Sequence, residues 1–135
     1  MKQLSTLFLF IFILSACNSE IKKNSTASND STTKVQIAEA SFSFGTLKQT
    51  DSVVHVFKLK NVGAIPLLIK SAKASCGCTV PEYSQKPIPP NETASITVKF
   101  KPTEAIEGIV NKSIVIQANT DSTFHVLYVK GLVTK

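Results

Sequence analysis

In the stretch "DSVVHVFKLKN", residues 51–61, Val53, His55, Phe57 and Leu59 alternate with Val54, Val56, Lys58 and Lys60. Successive side chains of a strand point to opposite faces. The lysine end therefore marks the wet face and assigns Val53, His55, Phe57 and Leu59 to a core. The same period returns in "ASITVKF", residues 94–100, where Ala94, Ile96, Val98 and Phe100 alternate with Ser95, Thr97 and Lys99. That is the pattern of a half-buried antiparallel strand. "KSIVIQA" (112–118) and "TFHVLYVKGLV" (123–133) repeat it, with Ile114, Ile116 and Ala118 sharing one face and His125 alternating with Leu127 and Val129. Upstream, "VQIAEASFSFGTL" (35–47) reads as one bent or two short strands, and "AIPLLIKSA" (64–72) as one that opens after Pro66.

Between these runs stand Asn61-Val62-Gly63, Pro89-Pro90-Asn91, Glu107-Gly108 and Asn119 to Ser122. These residue types preset a turn or tolerate positive φ. No segment keeps helical spacing over three turns. About seven short strands in about a hundred residues predict an all-β, immunoglobulin-like antiparallel sandwich, with a closed barrel as the runner-up. The usual inter-sheet cysteine pair is absent, so the core has to stand on apolar packing.

A family resemblance rests on Phe42-Ser43-Phe44-Gly45, on His55 through Gly63, on Pro66-Leu67-Leu68-Ile69, on Ser75-Cys76-Gly77-Cys78-Thr79-Val80-Pro81 and on Gly131. Together these resemble the bacterial family called domain of unknown function 1573, with Ser-Cys-Gly-Cys-Thr as the most specific mark. The resemblance implies an immunoglobulin-like sandwich in envelope proteins, often lipoproteins, of bacteria such as the Bacteroidota. It implies no established activity. Where the family usually has Pro-Gly-Glu, this chain has Pro90-Asn91-Glu92; asparagine also suits a left-handed turn position. The run from Asn61 to Leu67 also looks like sandwich modules of pilus chaperones and cytoskeletal proteins, which mostly bind other proteins.

The start of the chain places the protein. "MKQLSTLFLFIFILSAC" carries one positive charge, at Lys2, then an apolar run from Leu7 to Leu14 and small residues before Cys17. This is an export signal, and the run is too short for a membrane span, which needs about 20 residues. Leu14-Ser15-Ala16-Cys17 resembles a lipobox, which implies that residues 1–16 are removed and that the Cys17 sulfur is acylated. Residues 17–34, rich in Ser, Thr, Asn and Lys, cannot bury enough surface to order themselves and read as a tether. Residues 35–135 form one domain. The expected location is the envelope, at the outer membrane on its periplasmic or surface side, with the bilayer a partner through Cys17 and the domain monomeric.

Fifteen basic residues against nine acidic ones give a formal charge of +6. All fifteen are lysine, and they alternate along strands instead of clustering. Without arginine for bidentate phosphate and base contacts, nucleic acid is not expected as a partner.

With Cys17 acylated, Cys76 and Cys78 have only each other within the chain. Three uses stand open. Small, partly buried thiols packing like alanine rank first on the burial habit of cysteine. A redox-capable pair comes second: extended backbone would put the Cα atoms near the outer limit for a disulfide, but Gly77 can bend it. A soft-metal site for Cu(I) or Zn(II), with His55 or His125 as further ligands, comes third and lacks a second ligand pair.

No nucleophile elbow, carboxylate pair or phosphate-binding glycine loop is present, so neither an enzyme nor a cofactor is expected. Asp30-Ser31-Thr32, Asp51-Ser52-Val53 and Asp121-Ser122-Thr123 resemble the O-glycosylation sites of Bacteroidota envelope proteins. Asp-Ser pairs also favour turns on their own account. The functional expectation is a membrane-tethered interaction module working through sheet edges or loops, such as Cys76 to Glu82. The alternative is a thiol-redox or soft-metal protein using Cys76 and Cys78.

Overall fold

The computed structural model describes residues 32–135. The expected signal peptide, Cys17, Ser31 and most of the expected tether lie outside the described residues. The strands are β1 (Val35–Ile37), β2 (Ser41–Lys48), β3 (Val53–Asn61), β4 (Ile69–Ala74), β5 (Thr79–Tyr83), β6 (Thr93–Phe100), β7 (Gly108–Ala118) and β8 (Phe124–Thr134). They form two four-stranded sheets, in the orders β1-β3-β6-β5 and β2-β8-β7-β4. Phe57, Leu59, Ile96, Val98, Phe100, Ile114, Ile116, Leu127 and Val129 fill the space between the sheets. The inward faces expected from alternation in β3, β6, β7 and β8 are the buried ones.

The all-β, immunoglobulin-like sandwich expected from the sequence is the observed fold, and the structure refines it in three respects. There are eight strands where about seven were expected, because "VQIAEASFSFGTL" divides between the two sheets and Thr79–Tyr83 adds β5. Pro81 sits in β5, an edge strand, where the missing N–H costs no ladder bond on the open side. Second, the sandwich is not wholly antiparallel: β2 runs parallel to β8, with Ser41 opposite Tyr128 and Lys48 opposite Thr134. Side-chain period reports which face is buried and is silent on strand direction. Third, the tether does not extend to residue 34. Thr33 is buried, its N–H donates to the Asn119 carbonyl (2.8 Å), and the Lys34 carbonyl accepts from Val62 N–H (2.9 Å).

Thr33 is held by Asn61, which closes β3. Asn61 Oδ1 accepts from the Thr33 hydroxyl (2.8 Å) and from Gly63 N–H (3.1 Å). Its Nδ2 donates to the carbonyls of Ile65 (2.8 Å) and Ile88 (3.0 Å). A fully buried amide with all four of these bonds made is a fold determinant, because any one left unmade would carry the desolvation cost of a buried polar group.

Close approach requires glycine at Gly131 in β8. A Cβ there would run into the Phe44 ring of β2, which stacks on Phe100 with 5.4 Å between centroids. The gap left by the missing side chain is what lets an edge-strand aromatic reach the core. The expected turn residue Asn91 takes φ 67°.

Candidate functional site

Strand β4 ends at Ala74 and β5 begins at Thr79, each at an edge of its own sheet. The connection between them is Ser75-Cys76-Gly77-Cys78. The chain bends at Gly77, bringing the two cysteine Cα atoms to 5.3 Å, and the sulfurs are joined as a disulfide with an S–S distance of 2.01 Å. This corrects the packing reading: the cysteines are not free, alanine-like thiols. In this state the sulfurs are bonded to each other and are not thiolate ligands for a metal ion. Among the described residues, no three His, Cys, Asp or Glu side chains come together in a group that could hold a metal ion.

The ring is held from outside by backbone bonds. Ser75 N–H donates to the Ser113 carbonyl (2.9 Å), Thr79 N–H to the Cys76 carbonyl (3.3 Å) and Lys101 N–H to the Cys78 carbonyl (3.0 Å). The buried Thr79 hydroxyl lies 3.6 Å from Cys76 Sγ and 3.9 Å from Cys78 Sγ. Both cysteines are half-buried, and Cys78 packs on the core while the position above Gly77 is open. Gly77, Cys78, Val80, Lys99, Lys101, Pro102 and Thr103 line an adjoining groove of about 430 Å³.

Neither histidine joins the cysteines. His55 stacks on Phe42 with ring centroids 3.8 Å apart and meets Phe57 edge-on at 4.6 Å. Its Nε2 approaches Glu39 Oε2 at 3.4 Å without the alignment of a hydrogen bond. His125 Nε2 pairs with the Thr120 hydroxyl at 2.8 Å. His55 is held by ring packing and His125 by its hydroxyl partner. Ser52 and Ser122 are exposed in the β2–β3 and β7–β8 turns. Their turn chemistry is also satisfied: Asp51 N–H donates to the Lys48 carbonyl (3.0 Å), and the Ser122 carbonyl accepts from the Thr120 hydroxyl (2.6 Å).

One surface went unremarked at the level of sequence. Phe124, Val126, Tyr128 and Leu132 of β8 face solvent together with Val115 and Ile109 of β7. Pairing places Val115 opposite Val126 and Ile109 opposite Leu132, so these side chains form one row on the outer face of the sheet. Ser41 and Ser43 of β2 border it on one side and Lys73 of β4 on the other. Lys130 interrupts the row and lies 5.2 Å from the centroid of the Tyr128 ring. The available signal was that "FHVLYV" is apolar at both phases of its alternation.

Comparison with solved structures places this fold among sandwiches of diverse setting. A protein of unknown function from Porphyromonas gingivalis W83 superposes with a TM-score of 0.67 at 18% identity, over 75% of this chain and 47% of that one. The chain thus spans about half the length of that protein. The seventh PapD-like domain of human CEP192 gives 0.61 at 12% identity, over 77% of this chain and 87% of that one. The secreted serine protease VesC of Vibrio cholerae gives 0.57 at 10% identity, over 77% and 24%. At such identities the likeness is one of fold alone. No curated protein matches in sequence. The profile of the family described as protein of unknown function (DUF1573) matches residues 35–133, and the chain belongs to that family.

Proposed function

We propose that this protein is a lipid-anchored, non-enzymatic module of the bacterial envelope that binds another protein through the outer face of β8 and β7. The contrast between its two sheets carries this reading. The central strands of the first sheet, β3 and β6, turn Lys58, Lys60, Ser95, Thr97 and Lys99 outward, with Val54 and Val56 as the apolar exceptions. The central strand of the second, β8, is apolar on both faces. A strand of that composition is normally covered on both sides, and an exposed apolar row, here broken by Lys130 and flanked by Asn111, Ser113 and Gln117 of β7, is the anatomy of an interaction surface.

The lipobox-like Leu14-Ser15-Ala16-Cys17 supports the anchor, and the tether that follows supports a domain free to meet its partner near the bilayer. The occupant inferred is an envelope protein presenting an apolar surface. The modification reading at Ser31, Ser52 and Ser122 belongs with the same envelope setting.

The test is the size of the native assembly in mild-detergent extracts of the host. The wild-type protein should migrate as a complex larger than itself. The double variant Val126→Lys, Leu132→Lys, with an unchanged unfolding midpoint, should run as free protein. Identical migration of the two overturns the proposal, and a wild-type complex containing only this chain would replace the foreign partner with a second copy.

A further inference from the structure

We propose that the Cys76–Cys78 bond is an exchange site that accepts an electron pair from a protein dithiol, at a place separate from the β7–β8 face. Four observations converge. First, the ring encloses only Cys76, Gly77 and Cys78, and the stabilisation a crosslink draws from loop closure shrinks with the loop. Second, the ring is redundant as a staple, because Ser75, Cys76 and Cys78 are each already tied to neighbouring backbone. Third, both cysteine residues are half-buried, and the space above Gly77 is open. Fourth, the polar company suits a departing thiolate: the Thr79 hydroxyl lies within reach of either sulfur, and Lys99 and Lys101 line the groove that Cys78 faces. Hydroxyl donors and ammonium groups favour the thiolate form.

The asymmetry of the ring assigns the roles. Cys78 packs on the core and borders the lysine groove, whereas Cys76 does neither. A thiolate of the partner attacks Cys76 Sγ; the new intermolecular S–S bond forms as the Cys76–Cys78 bond breaks, and the electron pair leaves on Cys78 Sγ. The partner's second thiol, once deprotonated, attacks its own sulfur in the mixed disulfide and releases Cys76 as thiolate. The partner dithiol has become a disulfide, and its two electrons and two protons reside on Cys76 and Cys78. This is ordinary thiol–disulfide exchange through a mixed intermediate.

The experiment uses the full chain and glutathione as the probe. The protein is equilibrated with reduced and oxidised glutathione in ratios spanning several decades, quenched in acid, alkylated and weighed, with far-ultraviolet circular dichroism recorded alongside. The expected result is reversible opening within that range, with the β signal unchanged. The single variants then test the roles against oxidised glutathione. At a pH high enough to ionise both thiols, so that access decides the rate, Cys78→Ser, retaining Cys76, should form the mixed disulfide at least tenfold faster than Cys76→Ser, retaining Cys78. Thr79→Val should slow opening of the wild-type ring several-fold, while Thr79→Ser restores it. A bond that stays closed at every ratio, a sandwich that unfolds when the bond opens, or equal rates for the two single variants overturns the assignment.

Discussion

Replacing Asn61 with alanine should cost the domain about 4 kcal/mol, on the order of 1 kcal/mol for each side-chain hydrogen bond lost. The four bonds reach Thr33, Gly63, Ile65 and Ile88, so one side chain fastens the start of the domain to two loops. The losses are unequal. The Ile88 carbonyl keeps its bond from Leu67 N–H at 2.8 Å, so only the net value of one bond disappears there. Gly63 N–H and the Thr33 hydroxyl lose the acceptor they share, and their desolvation is no longer compensated.

Against a typical domain stability of about 5–15 kcal/mol, the loss is a large fraction. At a slope of about 2 kcal/mol per molar urea it moves the midpoint by about 2 M. The chain has no tryptophan, so the titration is followed by far-ultraviolet circular dichroism. A double-mutant cycle with Thr33→Val should return a coupling of about 1 kcal/mol, as for two side chains sharing a buried bond. A loss below about 1 kcal/mol for Asn61→Ala, or additive effects in the cycle, would refute the view that this amide holds the N-terminal segment to the sandwich.

Gly131→Ala should destabilise by about 1–3 kcal/mol through overpacking against Phe44; urea titration of Gly131→Ala with and without Phe44→Leu should show the second change recovering part of the loss. Replacing Cys76 and Cys78 together by serine should lower stability by about 1.5 kcal/mol, the loop-closure value for a three-residue ring, and a midpoint shift more than twice that size would mean the bond is a staple. Cys17→Ser should move the protein from the detergent phase to the aqueous phase in a Triton X-114 partition; retention in detergent would contradict acylation. Protein from the native host should carry extra mass on Ser31, Ser52 or Ser122, and unmodified peptides at all three would end the glycosylation reading.

Much of the sandwich was legible because burial in a sheet is written at a period of two. Val53 to Leu59, Ala94 to Phe100 and Ile114 to Ala118 each sort correctly into core and solvent faces. What escaped was information that does not lie in local period. The parallel pairing of β2 with β8 depends on where the chain crosses between sheets, and β5 is hidden by Pro81 and by the bend at Gly77. Asn61 reads as a turn former beside Gly63, and only the approach of residues distant in sequence turns it into a buried hub. The cysteines were recognised as a pair, but the spacing alone left packing, metal and disulfide open. The bend at Gly77 selected the disulfide, and the apolar outer face of β8 escaped because its outward row is interleaved with an equally apolar inward one.

The central claim is that the outer face of β8 meets another protein. Site-specific photo-crosslinking in the living host tests it most directly, with a benzophenone amino acid at Val126 and, as the control on the opposite sheet, at Lys58. The account predicts a discrete adduct of one defined mass from position 126 and none from position 58. Adducts from both positions alike, or from neither, would contradict it.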